Sequence, residues 1–214
     1  IDTGGNLSVS GVTVSGSNIN GNGGAFNNSG TLSISNSTIS GNSATNGGNG
    51  GAFFNSGTLA VTNSTISGNT ANYGGGIFNS GGTSTITNST FSGNSAAGGS
   101  GAGIFNQATL TVSNSTFSGN SITGSGSGGG ISNIFGTFTI TNSTFSGNSA
   151  FSGGGVANFG TLTINNSIIA NSISGGDYTG SQPVSSTNNI VEDGSITGAI
   201  AADPLLGPLA NNGG

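Results

Sequence analysis

The chain has 214 residues, 45 of them glycine, and only 2% are charged. It contains no Lys, Arg, His, Cys, Met or Trp, and its five acids give a formal net charge of -5. These absences exclude disulfides and thiolate chemistry, an imidazole base or a lysine Schiff base, and the cations that neutralise nucleic-acid phosphates.

Read locally, a Gly/Ser/Asn-rich composition resembles a disordered tract. A repeat reverses that reading. The unit TFTITNSTFSGNSA at 137–150 recurs as TLSISNSTISGNSA at 31–44, TLAVTNSTISGNTA at 58–71, TSTITNSTFSGNSA at 83–96 and TLTVSNSTFSGNSI at 109–122. A looser copy begins at Thr161, and residues 1–17 form a degenerate first coil with Leu7, Val9 and Val14 in the apolar places. The opening threonines are spaced by 27, 25, 26, 28 and 24 residues, and nearly all the variation falls between the Ser-Gly-Asn triplet and the next glycine run. A unit of this length that tolerates insertion at one corner is a solenoid coil.

Three short segments per coil alternate with period two, as half-buried strands do. Leu32, Leu59, Leu110, Phe138 and Leu162 make one inward column, and Ile34, Val61, Ile86, Val112, Ile140 and Ile164 the next. Ile39, Ile66, Phe91, Phe117, Phe145 and Ile169 make a third, and Ala25, Ala52, Ile77, Ile104, Ile131 and Val156 are expected to make a fourth. Asparagine tolerates left-handed backbone and bonds to nearby backbone, so it suits tight corners. Asn36, Asn63, Asn88, Asn114 and Asn142 mark one corner, Asn42, Asn69, Asn94, Asn120 and Asn148 a second, and Asn27, Asn79, Asn106, Asn133 and Asn158 a third. The first set opens Asn-Ser-Thr triplets, which match a glycosylation pattern, but its regular placement points to a structural duty. The expected fold is all-β: a right-handed parallel β-helix of about six to seven coils, with three short strands per coil, roughly 30 Å long.

The glycine-apolar stretches Gly24-Ala25-Phe26, Gly51-Ala52-Phe53 and Gly76-Ile77-Phe78, with the F-x-x-N stretches at Phe91–Asn94, Phe117–Asn120 and Phe145–Asn148, resemble the repeats of the chlamydial polymorphic outer-membrane family. The resemblance spans about residues 18–171 and implies a secreted or surface-displayed bacterial adhesin. The membrane barrel that exports several members of that family has no counterpart here.

Repeats occupy 1–171, and 172–214, carrying all three prolines and four of the five acids, reads as a less regular C-terminal coil or cap, or a subunit-contact segment. Asn188–Val191 reads as one further strand. Leu205, Leu206 and Leu209 are expected to cover the last coil or meet a neighbour. The close of the chain resembles the end of β-helix regions in large surface proteins, where more chain follows.

Four functional readings follow. Carboxylate-based attack on polysaccharides needs clustered acids. Asp177, Glu192, Asp193 and Asp203 are scattered through the tail, so no catalysis, cofactor or metal site is expected. Thr31, Thr58, Thr83, Thr109, Thr137 and Thr161, flanked by Thr85, Thr111, Thr139 and Thr163, form outward rows that resemble ice-binding faces. Phe26, Phe53, Phe78 and Phe105 are expected to form an exposed aromatic stripe suited to an interface. The favoured reading is a non-enzymatic extracellular structural or adhesive solenoid that assembles end to end into a fibre, because neither end looks capped. A monomeric adhesin segment of a larger surface protein is the alternative. Partners are then a second copy, a polysaccharide or another cell surface, with no nucleic acid and no membrane span.

Overall fold

A computed structural model describes residues 1–207. Every described element is a strand, and every ladder is parallel. The first sheet stacks eight strands, from Asn6–Ser10 through Thr31–Ser35 to Ser185–Thr187. The second stacks eight, from Thr13–Ser15 through Thr38–Ser40 to Ile190–Val191. A third has five strands, from Asn18–Asn20 to Ser121–Ile122, and the last has seven, from Phe26–Asn28 to Tyr178–Gly180.

The third sheet is a correction to the three-strand coil. It lies directly after the Ser-Gly-Asn corner, in the segment of variable length, and several of its strands hold two residues. Two residues are too few to show a period. The sheet nevertheless buries Ala44, Ala71, Ala96 and Ile122, the last two within a small satellite core with Ala102 and Ala150.

Stacking is one-to-one. Leu32 pairs with Leu59 and Ile34 with Val61 in the first sheet, and Phe91 pairs with Phe117 in the second. The inward columns join in one continuous core of fully buried Leu, Ile, Val and Phe side chains. Phe91, Phe117 and Phe145 stack ring on ring with centroids 4.8 Å apart. Ser84 stands where the other coils have Leu or Phe, and its hydroxyl stays inside by donating to Asn79 Oδ1 at 3.0 Å.

Asparagine turns the corners in two different ways. Asn36, Asn63, Asn88, Asn114 and Asn142 have φ of 48–50° and are exposed. Their amides bond rung to rung at the surface, as from Asn88 Nδ2 to Asn63 Oδ1 at 3.2 Å. Asn42, Asn69, Asn94, Asn120 and Asn148 are buried, and the residue before each is a glycine of positive φ. Asn94 Oδ1 accepts from both the backbone N–H and the Nδ2 of Asn69, at 3.1 and 3.0 Å. Asn94 Nδ2 in turn donates to the Ile66 carbonyl at 2.9 Å. A buried ladder of this kind satisfies corner backbone groups that have no strand partner.

The serine of each Asn-Ser-Thr triplet forms a further buried ladder. Ser64 N–H donates to Ser89 Oγ at 3.1 Å, and Ser64 Oγ donates to the Thr62 carbonyl at 2.8 Å. The triplet thus reads as corner, ladder and outward strand residue.

The third asparagine column is shifted from its expected place. It begins at Asn28 and includes Asn55, then Asn79, Asn106, Asn133 and Asn158, joined by amide bonds of 2.7–2.9 Å. Asn27 is exposed and outside it. Counting back from this ladder moves the first two coils by one residue. Phe26 pairs with Phe53 and Phe53 with Ile77, so both belong to the inward column, while Ala52 stands opposite Gly76. The later coils have glycine in that column, where a Cβ on Gly103 would lie 2.4 Å from the Gly130 carbonyl oxygen of the next coil.

The stack does not break at residue 172. Tyr178–Gly180, Ser185–Thr187 and Ile190–Val191 add strands to three sheets. The repeat motif is lost, but Tyr178 and Val191 still fill the inward column, and the backbone ladder needs no more than that.

Candidate binding surface

The chemistry of the lateral surface follows from the alternation just described. Thr31, Thr58, Thr83, Thr109, Thr137 and Thr161 are in register on successive rungs and all exposed. Thr85 is exposed, and Thr111, Thr139 and Thr163 are half-buried beside them. That second row starts with Ser8, Ser33 and Ala60, so its regularity is confined to the C-terminal half. The second sheet is more regular. Thr13, Thr38, Thr65, Thr90, Thr116 and Thr144 form an unbroken column, with Ser15, Ser40, Ser67, Ser92, Ser118 and Ser146 two residues on. The signal was present in the recurring T-I-S and T-F-S triplets. Rungs about 4.8 Å apart make both sheets lattices of neutral hydroxyls.

The expected aromatic stripe is not exposed as a stripe. Phe53 is fully buried in the core, and Phe26 is half-buried and stacked on it at 5.4 Å. The outward column is Phe54, Phe78 and Phe105, stacked at 5.3 and 5.1 Å. Tyr73, from the variable loop, lies across Phe105 and meets Phe78 edge-on. It packs where a side chain on Gly99 would stand. This cover leaves Phe78 and Phe105 only 9% and 6% exposed.

The tail packs on the C-terminal end of the core, as the coil-or-cap reading of 172–214 expects and against the expectation that neither end is capped. After Val191 the chain turns back, Ile196 is buried in the core cluster, and Ala199 packs against it. Val191 N–H donates to the Ile200 carbonyl at 3.0 Å. Leu205 and Leu206 do not cover the last coil, since Leu205 is exposed with φ 51° and Leu206 is half-buried. Leu209 lies outside the described residues. At the opposite end Leu7 and Val12 are exposed, and Val9 and Val14 half-buried.

Two of the tail acids meet. Asp177 N–H donates to Asp193 Oδ2 at 2.7 Å, and Asp193 N–H returns a bond to Asp177 Oδ2 at 3.1 Å. Ser172 N–H donates to Asp177 Oδ1 and Ser195 N–H to Asp193 Oδ1. Glu192 is held apart, accepting from Asn171 N–H at 2.6 Å, and Asp203 accepts from Leu205 N–H. The pair is a backbone clasp that ties the cap to the coil beneath it. Among the described residues no group of three or more acids is placed to share a metal ion.

Burial raises the pKa of Asp177, outweighing the lowering by its hydrogen bonds with Ser172 and Asp193; the Asp193 charge raises it further. A carboxyl with a raised folded pKa favours the folded state most when protonated, and that contribution is lost as pH rises through the folded value. The urea midpoint is therefore expected to fall as pH rises from about 4, and the fall should be reduced in Asp177→Asn. An identical pH slope in the variant would assign the dependence elsewhere.

A family model described as the right handed beta helix region matches residues 1–135, more than half of the chain. The chain belongs to that family. No curated protein and no solved structure was found to match it.

Proposed function

We propose that the chain is a non-enzymatic structural and adhesive rod displayed at a bacterial cell surface. The observation that carries this reading is the division of labour among repeated polar residues. Buried asparagines and serines are committed to ladders, and what remains on the lateral faces is an uncharged hydroxyl lattice. The tail acids are engaged by backbone donors, which suits a clasp better than acid–base work. The resemblance of the glycine-apolar and F-x-x-N motifs to the chlamydial polymorphic outer-membrane repeats supports surface display and adhesion. Both motifs have packing roles here: Phe117 stacks inward, Asn120 forms the ladder, and glycines meet the neighbouring coil.

The folded-back segment at Ile196–Ile200 favours a single rod over a head-to-tail fibre, because that end of the core already has an occupant. The test is sedimentation with negative-stain microscopy, plus a reducing-end assay on neutral and acidic polysaccharides. Single short rods that release no reducing ends are expected. Filaments would restore the fibre, and released reducing ends would overturn the non-enzymatic reading.

A further inference from the structure

The corner that leads into the first sheet changes character along the rod. After the asparagine ladder the first coils place Ser29, Ser56, Ser80 and Gln107 there. The next place Ile134–Phe135 and then Phe159, and the last coil returns to Ser181. Phe135 is 86% exposed with φ 65°, and Phe159 is 46% exposed.

A bulky residue in left-handed backbone is an outlier that carries strain. Exposing its ring forgoes the gain from burial as well. The corner itself needs neither. The equally long corner Ser80–Gly82 makes the same connection with no residue of positive φ and reaches the equivalent Thr83. Both phenylalanines also stand apart from the aromatic stacks of the core and of the last sheet. In repeat proteins the face that carries departures from the unit is often the binding face.

The surroundings limit what covers these rings. Thr137 and Thr161 follow them directly and are exposed in register, with Thr139 and Thr163 beyond. No charged residue occurs between Thr3 and Gly176, so a charged partner would lose hydration with no counter-charge to meet it. A pyranose ring has an apolar C–H face and a rim of hydroxyls, which matches a ring beside a hydroxyl row. We propose that Phe135 and Phe159 are stacking platforms for successive parts of a neutral polysaccharide chain lying along the rod. The Thr137 and Thr161 hydroxyls bond to its rim. The inference rests on the adhesive reading above and gives that reading a ligand class and a place.

The test is affinity electrophoresis in gels cast with a soluble β-glucan, a mannan or a galactan, with polygalacturonate as the anionic control. The wild-type chain is expected to be retarded by at least one neutral polymer and not by polygalacturonate. Phe135→Ser and Phe159→Ser should each weaken retardation severalfold, and the double variant should lose at least tenfold. Phe151→Ser, at an exposed ring elsewhere, should change nothing. Unaltered circular dichroism and melting would show that the variants remain folded. Retardation by none of the neutral polymers, or undiminished retardation in the double variant, would overturn the proposal. So would a double variant that loses self-association instead, since the patch would then be a contact between copies. Cleavage of a retarding polymer would overturn the non-enzymatic reading alone, because the loss on Phe replacement would still support the site.

Discussion

Replacing Asn94 by alanine is expected to destabilise the protein by about 3–6 kcal/mol, read as a lowered first transition in urea. The change leaves the backbone N–H of Asn69, one proton of Asn69 Nδ2 and the Ile66 carbonyl without their partners, all in a buried corner. Each orphaned buried group costs about 1–3 kcal/mol. Asn88→Gly is the matching control. Asn88 stands six residues earlier in the same coil, but its corner needs only the left-handed backbone that glycine adopts freely. Its amide bonds lie at the surface, so the expected change is about 1 kcal/mol or less. Equal losses for the two variants would mean that the buried ladder has no special energetic role.

Phe117→Ala is the second large effect, about 3–5 kcal/mol. The ring is fully buried and stacked at 4.8 Å on both Phe91 and Phe145, so truncation opens a cavity bordered by two rungs. Because coils contact only their neighbours, the loss should loosen the middle of the rod first. Hydrogen exchange in the second-sheet strands Thr90–Ser92 and Thr144–Ser146 is expected to rise before exchange at Leu32 or Leu162. Phe117→Leu keeps an apolar side chain there and should cost under about 1.5 kcal/mol. A loss below about 1 kcal/mol in the alanine variant would place Phe117 outside the core.

The solenoid, its parallel ladders and most inward columns were legible because period-two alternation survives in every repeat. Register in the last sheet was not. Gly24-Ala25-Phe26 and Gly76-Ile77-Phe78 look alike when counted from the glycines, yet the chain aligns them by Asn28 and Asn79 at the other end. The buried amide ladder resists slippage more strongly than a glycine does. Tyr73 was invisible for a different reason: its role depends on a loop folding over Phe78 and Phe105, and a loop has no period. The cap is similar. Ile196 follows Glu192–Gly194 with no repeat around it, and burial of one isoleucine has no local signature. Phe135 illustrates the converse, since its meaning lies in being exposed and strained where the earlier coils place serine, glycine or glutamine in relaxed backbone.

The central claim is that repeated polar residues are divided between buried ladders and an open hydroxyl surface. Hydrogen exchange of asparagine side-chain amides, followed by NMR, tests that division most directly. Nδ2 protons of Asn69, Asn94, Asn120, Asn55, Asn79 and Asn106 should be protected for hours, while those of Asn36, Asn63, Asn88 and Asn114 exchange within the dead time. Uniform fast exchange, or protection of the Asn36 set in place of the Asn94 set, would contradict it.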